Sequence, residues 1–170
     1  IINKIIKPTM KGLSDLGTNY KGFLYAGLMI VDNEPFLIEY NVRMGDPECQ
    51  TILPMLHSDL LDILLACADE KLSEKKIKWK NLQSLCVVLS SKGYPEEYKK
   101  NININNFAKI NLDENNYLFH AGTKKENDEI LAIGGRVLNF ISLSKNLISA
   151  RKNVLENLEK LNWESGFFRK

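Results

Sequence analysis

The chain has 170 residues, of which 44% are hydrophobic and 26% are charged, and its formal net charge is +2. This length accommodates one compact domain or two small domains of a soluble globular protein. So balanced a charge argues against nucleic acid or an anionic membrane as a partner, and no apolar stretch reaches the roughly 20 residues that cross a bilayer. Three widely spaced cysteines, without a Cys-x-x-Cys pair, favour reduced thiols in a cytoplasmic protein over a zinc site or a disulfide framework.

The N-terminal part of the sequence predicts a helical segment followed by a β-hairpin. Because Ile1 starts in mid-pattern without a helix cap, we expect the chain to be part of a longer protein. The segment from residue 1 to about residue 20 predicts a helix that is broken at Pro8 and followed by a polar loop. The β-rich runs of residues 21–42 flank Asp32 and Asn33, residue types that tolerate the turn of a hairpin.

Two short helices are predicted after the hairpin. Asp46 and Pro47 form a helix-start signal, since an aspartate accepts hydrogen bonds from free amides and proline suits the first helical position. Ser58 is a candidate N-cap for the second helix, in which Leu60, Ile63 and Leu64 recur at helical spacing.

The second half of the sequence is rich in strands and ends in a helix. Apolar runs at residues 84–91 and 115–122 predict strands, and residues 130–143 predict a strand pair interrupted at Gly134-Gly135. The segment 144–161 predicts a helix with one apolar face: Leu147, Ala150, Val154, Leu158 and Leu161. We therefore expect an α+β protein with one domain over residues 1–75 and a β-rich domain over residues 76–170.

The stretch "EYNVRMGDPE" (residues 39–48) places many polar groups at the end of an apolar strand. Alternation along a strand predicts one core face and one polar face. The core face would comprise Phe36, Ile38, Tyr40 and Val42, and the other face Leu37, Glu39, Asn41 and Arg43.

A carboxylate and an amide oxygen are hard ligands of the kind that Mg²⁺ accepts, and an arginine beside them can clamp a phosphate. Asp46 and Glu48 open the following helix, whose amides can hold an anion. A solvated strand end followed by a capped helix explains the same residues, and the short pattern alone leaves both interpretations open.

Several blocks in order along the chain resemble one enzyme family. They are "KGFLYAGLMIVDNEPFLIEYNVRMGDPECQTILPML", "CVVLSSKGYPEEY", "FHAGTK", "GGRVLN" and "FFRK". They resemble the phosphoribosylamine–glycine ligases (glycinamide ribonucleotide synthetases) of the ATP-grasp superfamily, over nearly the whole chain. The resemblance implies the C-terminal part of an ATP-grasp domain, an antiparallel sheet plus helices, followed by a small β-rich domain with a C-terminal helix.

The resemblance also implies an activity, namely the ATP-dependent joining of glycine to 5-phosphoribosylamine. The reaction passes through an acyl phosphate and gives glycinamide ribonucleotide, ADP and phosphate, in de novo purine biosynthesis in the cytoplasm. The implied cofactors are ATP and Mg²⁺ or Mn²⁺, and the implied partners are these small molecules and the missing N-terminal portion of the same chain. Neither nucleic acid nor a membrane is implied, and this stretch alone is expected to be inactive.

The site residues that the resemblance implies fall into four groups. They are Glu39 and Asn41 as metal ligands, Arg43 as the catalytic cation, Lys11 as a contact to the nucleotide, and Asp46, Glu48 and Arg136 as substrate-binding residues. Arg136 would bind the phosphate of the phosphoribosyl group. Simpler interpretations stay open for three of them: a surface lysine for Lys11, a helix cap for Asp46, and a solvated arginine at a hairpin turn for Arg136.

Two other functions remain compatible with the sequence. One is a different ATP-grasp carboxylate–amine ligase, and the other is a non-catalytic β-rich interaction module. The strand before Glu39 supplies no acid between residues 20 and 31, so the metal site would depend on Glu39, Asn41 and the phosphates of the nucleotide. Glu39→Ala and Asn41→Ala in the intact protein therefore distinguish the functions, because an interaction module predicts unchanged ATP turnover.

Overall fold

The computed structural model of the chain describes residues 1–169 and divides them into two compact units. We call residues 1–46 and 57–78 the hairpin unit, and residues 47–56 together with the chain from residue 79 onward the sheet unit. Residues 47–56, which were expected in the first domain, belong to the sheet unit. A domain boundary at residue 75 stays a prediction.

The chain combines helices with antiparallel sheets, as is typical of an α+β protein. The helices are α1 (Lys7–Asp15), α2 (Glu48–Ile52), α3 (Leu60–Ala68) and α4 (Leu147–Leu161), with a π-helical turn at Ile2–Ile6 and 3₁₀ turns at Leu53–Met55, Leu72–Glu74 and Phe107–Lys109. The strands are β1 (Tyr25–Val31), β2 (Glu34–Asn41), β3 (Gln83–Ser91), β4 (Ile102–Asn103), β5 (Asn116–His120), β6 (Thr123–Glu126), β7 (Glu129–Ala132), β8 (Arg136–Ser144) and β9 (Gly166–Phe167). Within residues 1–169, no helix is long and apolar enough to span a membrane.

The predicted hairpin is confirmed. Strands β1 and β2 pair in antiparallel fashion around Asp32 and Asn33. Their φ angles are 48° and 65°, which is the left-handed conformation that a tight hairpin turn requires at both central residues. Aspartate and asparagine adopt this conformation more easily than most other residues, and this is why the turn could be recognised in the sequence.

Helix α1 differs from its prediction. It contains Pro8 in its first turn, directly after the π-helical turn Ile2–Ile6, so the helical segment continues past Pro8. Lys11 and Gly12, which the polar loop predicted before the hairpin would contain, lie within α1 instead. Two contacts tie this N-terminal segment to strand β2: Lys4 with Glu34, and Thr9 with Tyr40. The bond from Lys4 lowers the pKa of the Glu34 carboxyl.

The starts of α2 and α3 each lie one residue beyond the predicted signals. Helix α2 begins at Glu48, with Pro47 in the preceding cap position rather than at the first helical position. Helix α3 is capped by Asp59, whose carboxylate accepts from the amide of Asp62 at 3.1 Å. Ser58 is not the cap, because its hydroxyl accepts from the amide of Lys78 at 2.8 Å.

The sheet unit contains a four-stranded antiparallel sheet in the order β5-β8-β3-β9 and a three-stranded sheet in the order β4-β7-β6. Helix α4 packs against β3 and β8, and α2 also lies against β3 and β8. The strand pair predicted over residues 130–143 exists as β7 and β8. These strands belong to different sheets, so Gly134-Gly135 joins two sheets and is not a hairpin turn.

The core of the sheet unit lies between α4 and the four-stranded sheet. Strand β8 contributes Leu138 and Phe140, which are 0% and 1% exposed. The predicted apolar face of α4 is confirmed for four of its five members: Ala150, Val154, Leu158 and Leu161 are buried. Leu147, at the first helical position, is 52% exposed and does not join this core.

Asn146 caps α4, since its side-chain oxygen accepts from the amide of Ser149 at 2.8 Å. We expect Asn146→Ala to lower the free energy of unfolding by about 1 kcal/mol, because one of the helix-end amides loses its partner. Urea unfolding monitored by circular dichroism measures this loss. Lys145→Ala, at the exposed neighbouring position, is the matched control and should change stability by less than about 0.5 kcal/mol.

Candidate active site

Glu39 and Asn41 lie together near the end of β2. The Nδ2 atom of Asn41 donates to Oε1 of Glu39 at 3.0 Å, so the two side chains share one face of the hairpin, as strand alternation predicts. Glu39 is exposed and Asn41 is half-buried. No lysine or arginine of residues 1–169 forms an ion pair with Glu39. Among the residues that the structure describes, its carboxylate therefore faces solvent without a neutralising cation.

A β-bulge separates this pair from the rest of β2. Gly27 lies opposite Glu39 and Leu28 lies opposite Leu37, so Ile38 is an extra residue without a partner. A Cβ atom on Gly27 would lie 3.1 Å from Cγ of Glu39. The glycine therefore gives the Glu39 side chain room on this face.

Because of the bulge, the prediction that Leu37 shares a face with Glu39 and that Phe36 lies on the other face is wrong. Directly paired residues of a sheet share a face, and Leu37 pairs with Leu28 while Glu39 pairs with Gly27. Because Gly27 and Leu28 are consecutive and point to opposite faces, Leu37 lies on the face opposite Glu39. Phe36 is moved to the same face as Glu39. The extra residue in β2 shifts the alternation by one position.

The predicted core face of β2 is also not buried. Phe36, Ile38 and Val42 are 56%, 64% and 74% exposed. Nothing within residues 1–169 covers these three side chains, whereas Tyr40, the fourth member of the predicted face, is half-buried and contacts Thr9 of α1. The apolar character of the strand is therefore not matched by burial in this chain.

Arg43 lies beyond the end of β2, so strand alternation does not position its side chain. It is exposed, and its Nη1 atom donates to the carbonyl of Met44 at 2.9 Å. Asp46 is exposed and is the last residue of this segment of the hairpin unit, whereas Glu48 opens α2 in the sheet unit.

The donor set of Glu39 and Asn41 fits a divalent cation. A rotation of the amide by 180° places Oδ1 of Asn41 where Nδ2 now lies, next to the carboxylate, and gives two hard oxygen ligands side by side. Among the described residues, no group of three or more histidine, cysteine or acidic side chains could hold a metal ion. Such an ion would therefore complete its coordination with water and phosphate oxygens, which is the usual arrangement for Mg²⁺.

Lys11 is not linked to this pair. It is exposed on α1, and its ammonium group binds the carboxylate of Asp15 at 2.6 Å, one helical turn away. Within the described chain, no hydrogen bond or ion pair connects Lys11 with Glu39 or Asn41. A role for Lys11 in nucleotide binding stays a prediction.

Arg136 belongs to the sheet unit, where it is the first residue of β8 and is exposed. It lines a cavity of about 580 Å³. Gly135 is tightly packed beside it, since a Cβ atom there would lie 2.1 Å from the ring of Tyr94. The sequence prediction missed Tyr94 and Arg169, which line the same cavity. Tyr94 lies in the quoted block "CVVLSSKGYPEEY" and Arg169 in "FFRK", so these blocks could have identified them.

Comparison with known families decides which proteins this chain resembles. A family model described as the C domain of phosphoribosylglycinamide synthetase matches residues 84–170, just over half of the chain. A second model, for the ATP-grasp (A) domain of the same synthetase, matches residues 1–49. The chain belongs to the phosphoribosylglycinamide synthetase family.

Individual members of the family align over almost the whole chain. The phosphoribosylamine–glycine ligase of Agrobacterium fabrum is 42% identical over 169 residues, which cover 99% of this chain and 40% of that protein. The ligase of Brucella melitensis is 40% identical and is covered to 39%. The crystal structure of the phosphoribosylamine–glycine ligase of Thermotoga maritima superposes with a TM-score of 0.78 at 30% identity, over 99% of this chain and 41% of that one.

These matches confirm the expected family and α+β fold. The chain spans about 40% of the length of the curated relatives that it matches. Most of each relative therefore has no counterpart in this chain.

Proposed function

We propose that this chain is the C-terminal part of an ATP-dependent ligase that joins glycine to 5-phosphoribosylamine. The products would be glycinamide ribonucleotide, ADP and phosphate, and the reaction would serve purine synthesis in the cytoplasm. Membership of the phosphoribosylglycinamide synthetase family supports the substrate pair. The single structural observation that carries the proposal is the exposed pair of Glu39 and Asn41, which meet on one face of β2 at 3.0 Å.

Glu39 and Asn41 would hold Mg²⁺ or Mn²⁺ together with the phosphates of ATP. When bound, the ion supplies positive charge that neutralises the phosphate oxygens during transfer. Glu39 would hold this ion through its carboxylate, which has no competing cation in the described chain.

Arg43 would stabilise the negative charge that develops as a phosphoryl group passes to the carboxylate of glycine. Its guanidinium is exposed just after the strand that carries the pair, and it can rotate away from the Met44 carbonyl. Asp46, exposed three residues further along, would accept a hydrogen bond from the attacking amine. Glu48, which opens α2, would also take part in binding substrate. Fixed charges of this kind lower the barrier without covalent chemistry by the protein.

A chimeric enzyme tests this function. Residues 1–170 replace the matching C-terminal part of the Agrobacterium fabrum relative, which is 42% identical over 169 residues. We expect the chimera to release ADP only when ATP, glycine and 5-phosphoribosylamine are all present. The 170-residue chain alone should release none, because about 60% of each relative has no counterpart in it.

Three results would contradict the proposal. Turnover by the chain alone would show that the rest of the relatives is not needed. A chimera that folds and binds ATP but does not turn over glycine and 5-phosphoribosylamine would remove the assigned reaction. ADP release with a different carboxylate and amine would identify another ATP-grasp ligase.

A further inference from the structure

Gly27 of strand β1 is a glycine that its own backbone conformation does not require. Its φ angle lies outside the left-handed region, unlike those of Gly17, Gly22 and Gly93. Glycine in the interior of a strand is unfavourable, because it loses more backbone freedom on folding than alanine and adds no side chain to the sheet. Gly27 therefore weakens its strand, and its surroundings show what a side chain at this position would disturb.

The space beside Gly27 is filled by Glu39. The three atoms nearest to a Cβ atom at position 27 would be Cγ, the carbonyl oxygen and the amide nitrogen of Glu39, at 3.1, 3.6 and 3.9 Å. Carbon atoms that are not bonded to each other are ordinarily about 3.5–4.0 Å apart. A side chain at position 27 would therefore displace Cγ of Glu39 by about 0.4 Å or more.

The bulge in β2 sets Glu39 opposite this glycine. An unbroken register from the pair of Leu28 and Leu37 would set Glu39 opposite Ala26, whereas the observed register sets it opposite Gly27. Directly paired residues share a face of the sheet. The side chain of Glu39 thus lies opposite the one residue of β1 that has no side chain of its own.

A displacement of this size affects the pair of Glu39 and Asn41. Oε1 of Glu39 lies 3.0 Å from Nδ2 of Asn41, and the distances from a metal ion to its ligands vary by only about 0.2 Å. Glu39 is exposed, whereas Asn41 is half-buried. A side chain at position 27 would therefore push the carboxylate away from the amide. The core would not be disturbed, because an exposed side chain moves into solvent.

We propose that Gly27 is a positioning residue, whose missing side chain lets the Glu39 carboxylate lie beside Asn41 as one of two ligands of a divalent ion. Gly27 itself contacts neither the ion nor the substrates and acts only through Glu39. The inference rests on the proposed function, in which this pair binds Mg²⁺ or Mn²⁺. It accounts for a glycine that weakens its own strand.

Gly27→Ala in the 170-residue chain tests the positioning role without turnover. The NMR signal of the Asn41 side-chain amide reports its hydrogen bond to Glu39, and broadening of this signal by Mn²⁺ reports metal binding. We expect Gly27→Ala to shift the signal towards that of a solvated asparagine. The Mn²⁺ concentration for half-maximal broadening should rise by roughly tenfold. The midpoint of urea unfolding should rise or stay unchanged, because alanine is the better strand residue.

The chimeric ligase provides a second test. Gly27→Ala should raise the Mg²⁺ concentration for half-maximal ADP release by roughly tenfold, while kcat at saturating Mg²⁺ stays within about twofold. The same substitution in a Glu39→Gln chimera should have no further effect on the Mg²⁺ dependence, because a residue that acts through Glu39 then has no carboxylate to position.

Gly12→Ala is the matched control. Gly12 lies in the same unit, within α1, and a Cβ atom there would meet nothing within 4 Å. The substitution should stabilise α1, since alanine is the better helix former. It should leave the Asn41 signal and the Mg²⁺ dependence unchanged, which separates a specific effect at Gly27 from the general effect of replacing a glycine.

Three results would overturn the positioning role. They are an unchanged Asn41 signal and Mn²⁺ response in Gly27→Ala, a loss of stability that accompanies the loss of metal binding, and fully additive effects of Gly27→Ala and Glu39→Gln. If the chimera is active and Gly27→Ala leaves its Mg²⁺ dependence unchanged, the positioning role fails while the ligase function stands. If the chimera is inactive but Gly27→Ala shifts the Asn41 signal and weakens the Mn²⁺ response, the ligase function fails while the positioning role stands.

Discussion

Glu39→Gln should lower the kcat for ADP release by the chimeric ligase by about a hundredfold or more. Glutamine keeps the size of the side chain and its position opposite Gly27 but removes the negative charge that attracts a divalent ion. Because the described residues offer no cluster of acidic, histidine or cysteine side chains to compensate, the loss should be larger than at a site with several carboxylates. Steady-state ADP release as a function of Mg²⁺ concentration measures it.

The matched control is Glu34→Gln on the same strand. Glu34 is an exposed carboxylate paired with Lys4, and its substitution should change kcat by less than about twofold, since a surface ion pair contributes little. Excess Mg²⁺ should partly restore the Glu39→Gln enzyme, and Asn41→Leu should show the same dependence. If neither Glu39→Gln nor Asn41→Leu changes the turnover or the Mg²⁺ requirement, the pair is not a metal site. A non-catalytic interaction module then becomes the better interpretation.

Phe140→Ala should destabilise the sheet unit by about 3–5 kcal/mol. Phe140 is 1% exposed at the centre of β8 and belongs to the core formed with α4. Its truncation would leave a cavity between two layers that cannot close completely, because β8 is paired with strands on both sides. Urea unfolding of the 170-residue chain, followed by circular dichroism, gives the change in free energy.

Phe119→Ala on the neighbouring strand β5 serves as the comparison. Phe119 is 38% exposed and stacks on Tyr117, so its loss should cost no more than about 1.5 kcal/mol. Equal destabilisation by the two substitutions would mean that the core is not centred on β8.

Local sequence signals predicted the hairpin and the pairing of Glu39 with Asn41. Asp32 and Asn33 are suited by themselves to left-handed backbone. Glu39 and Asn41 are two residues apart on the same side of the bulge, so strand alternation applies to them without correction. The apolar face of α4 was equally predictable, because its spacing is fixed by the helix itself.

Features that depend on distant parts of the chain were not predictable. The bulges at Ile38 in β2 and at Val137 in β8 arise from cross-strand register, which a single strand does not encode. Alternation alone would have placed Arg136 with Leu138 in the core. The separation of β7 and β8 into different sheets likewise depends on their partners β6 and β3. The exposure of Phe36 was not predictable either, because no layer within residues 1–169 covers it.

The interleaved order of the two units limits how the protein can be divided for experiments. The backbone passes from one unit to the other after residues 46, 56 and 78, so no single cut separates them. A recombinant piece beginning at residue 76 would lack α2, which lies against β3 and β8. The part of the four-stranded sheet that α2 covers would then be exposed to solvent. Attempts to produce the C-terminal portion by itself should therefore retain Pro47–Leu56, joined through a short designed linker.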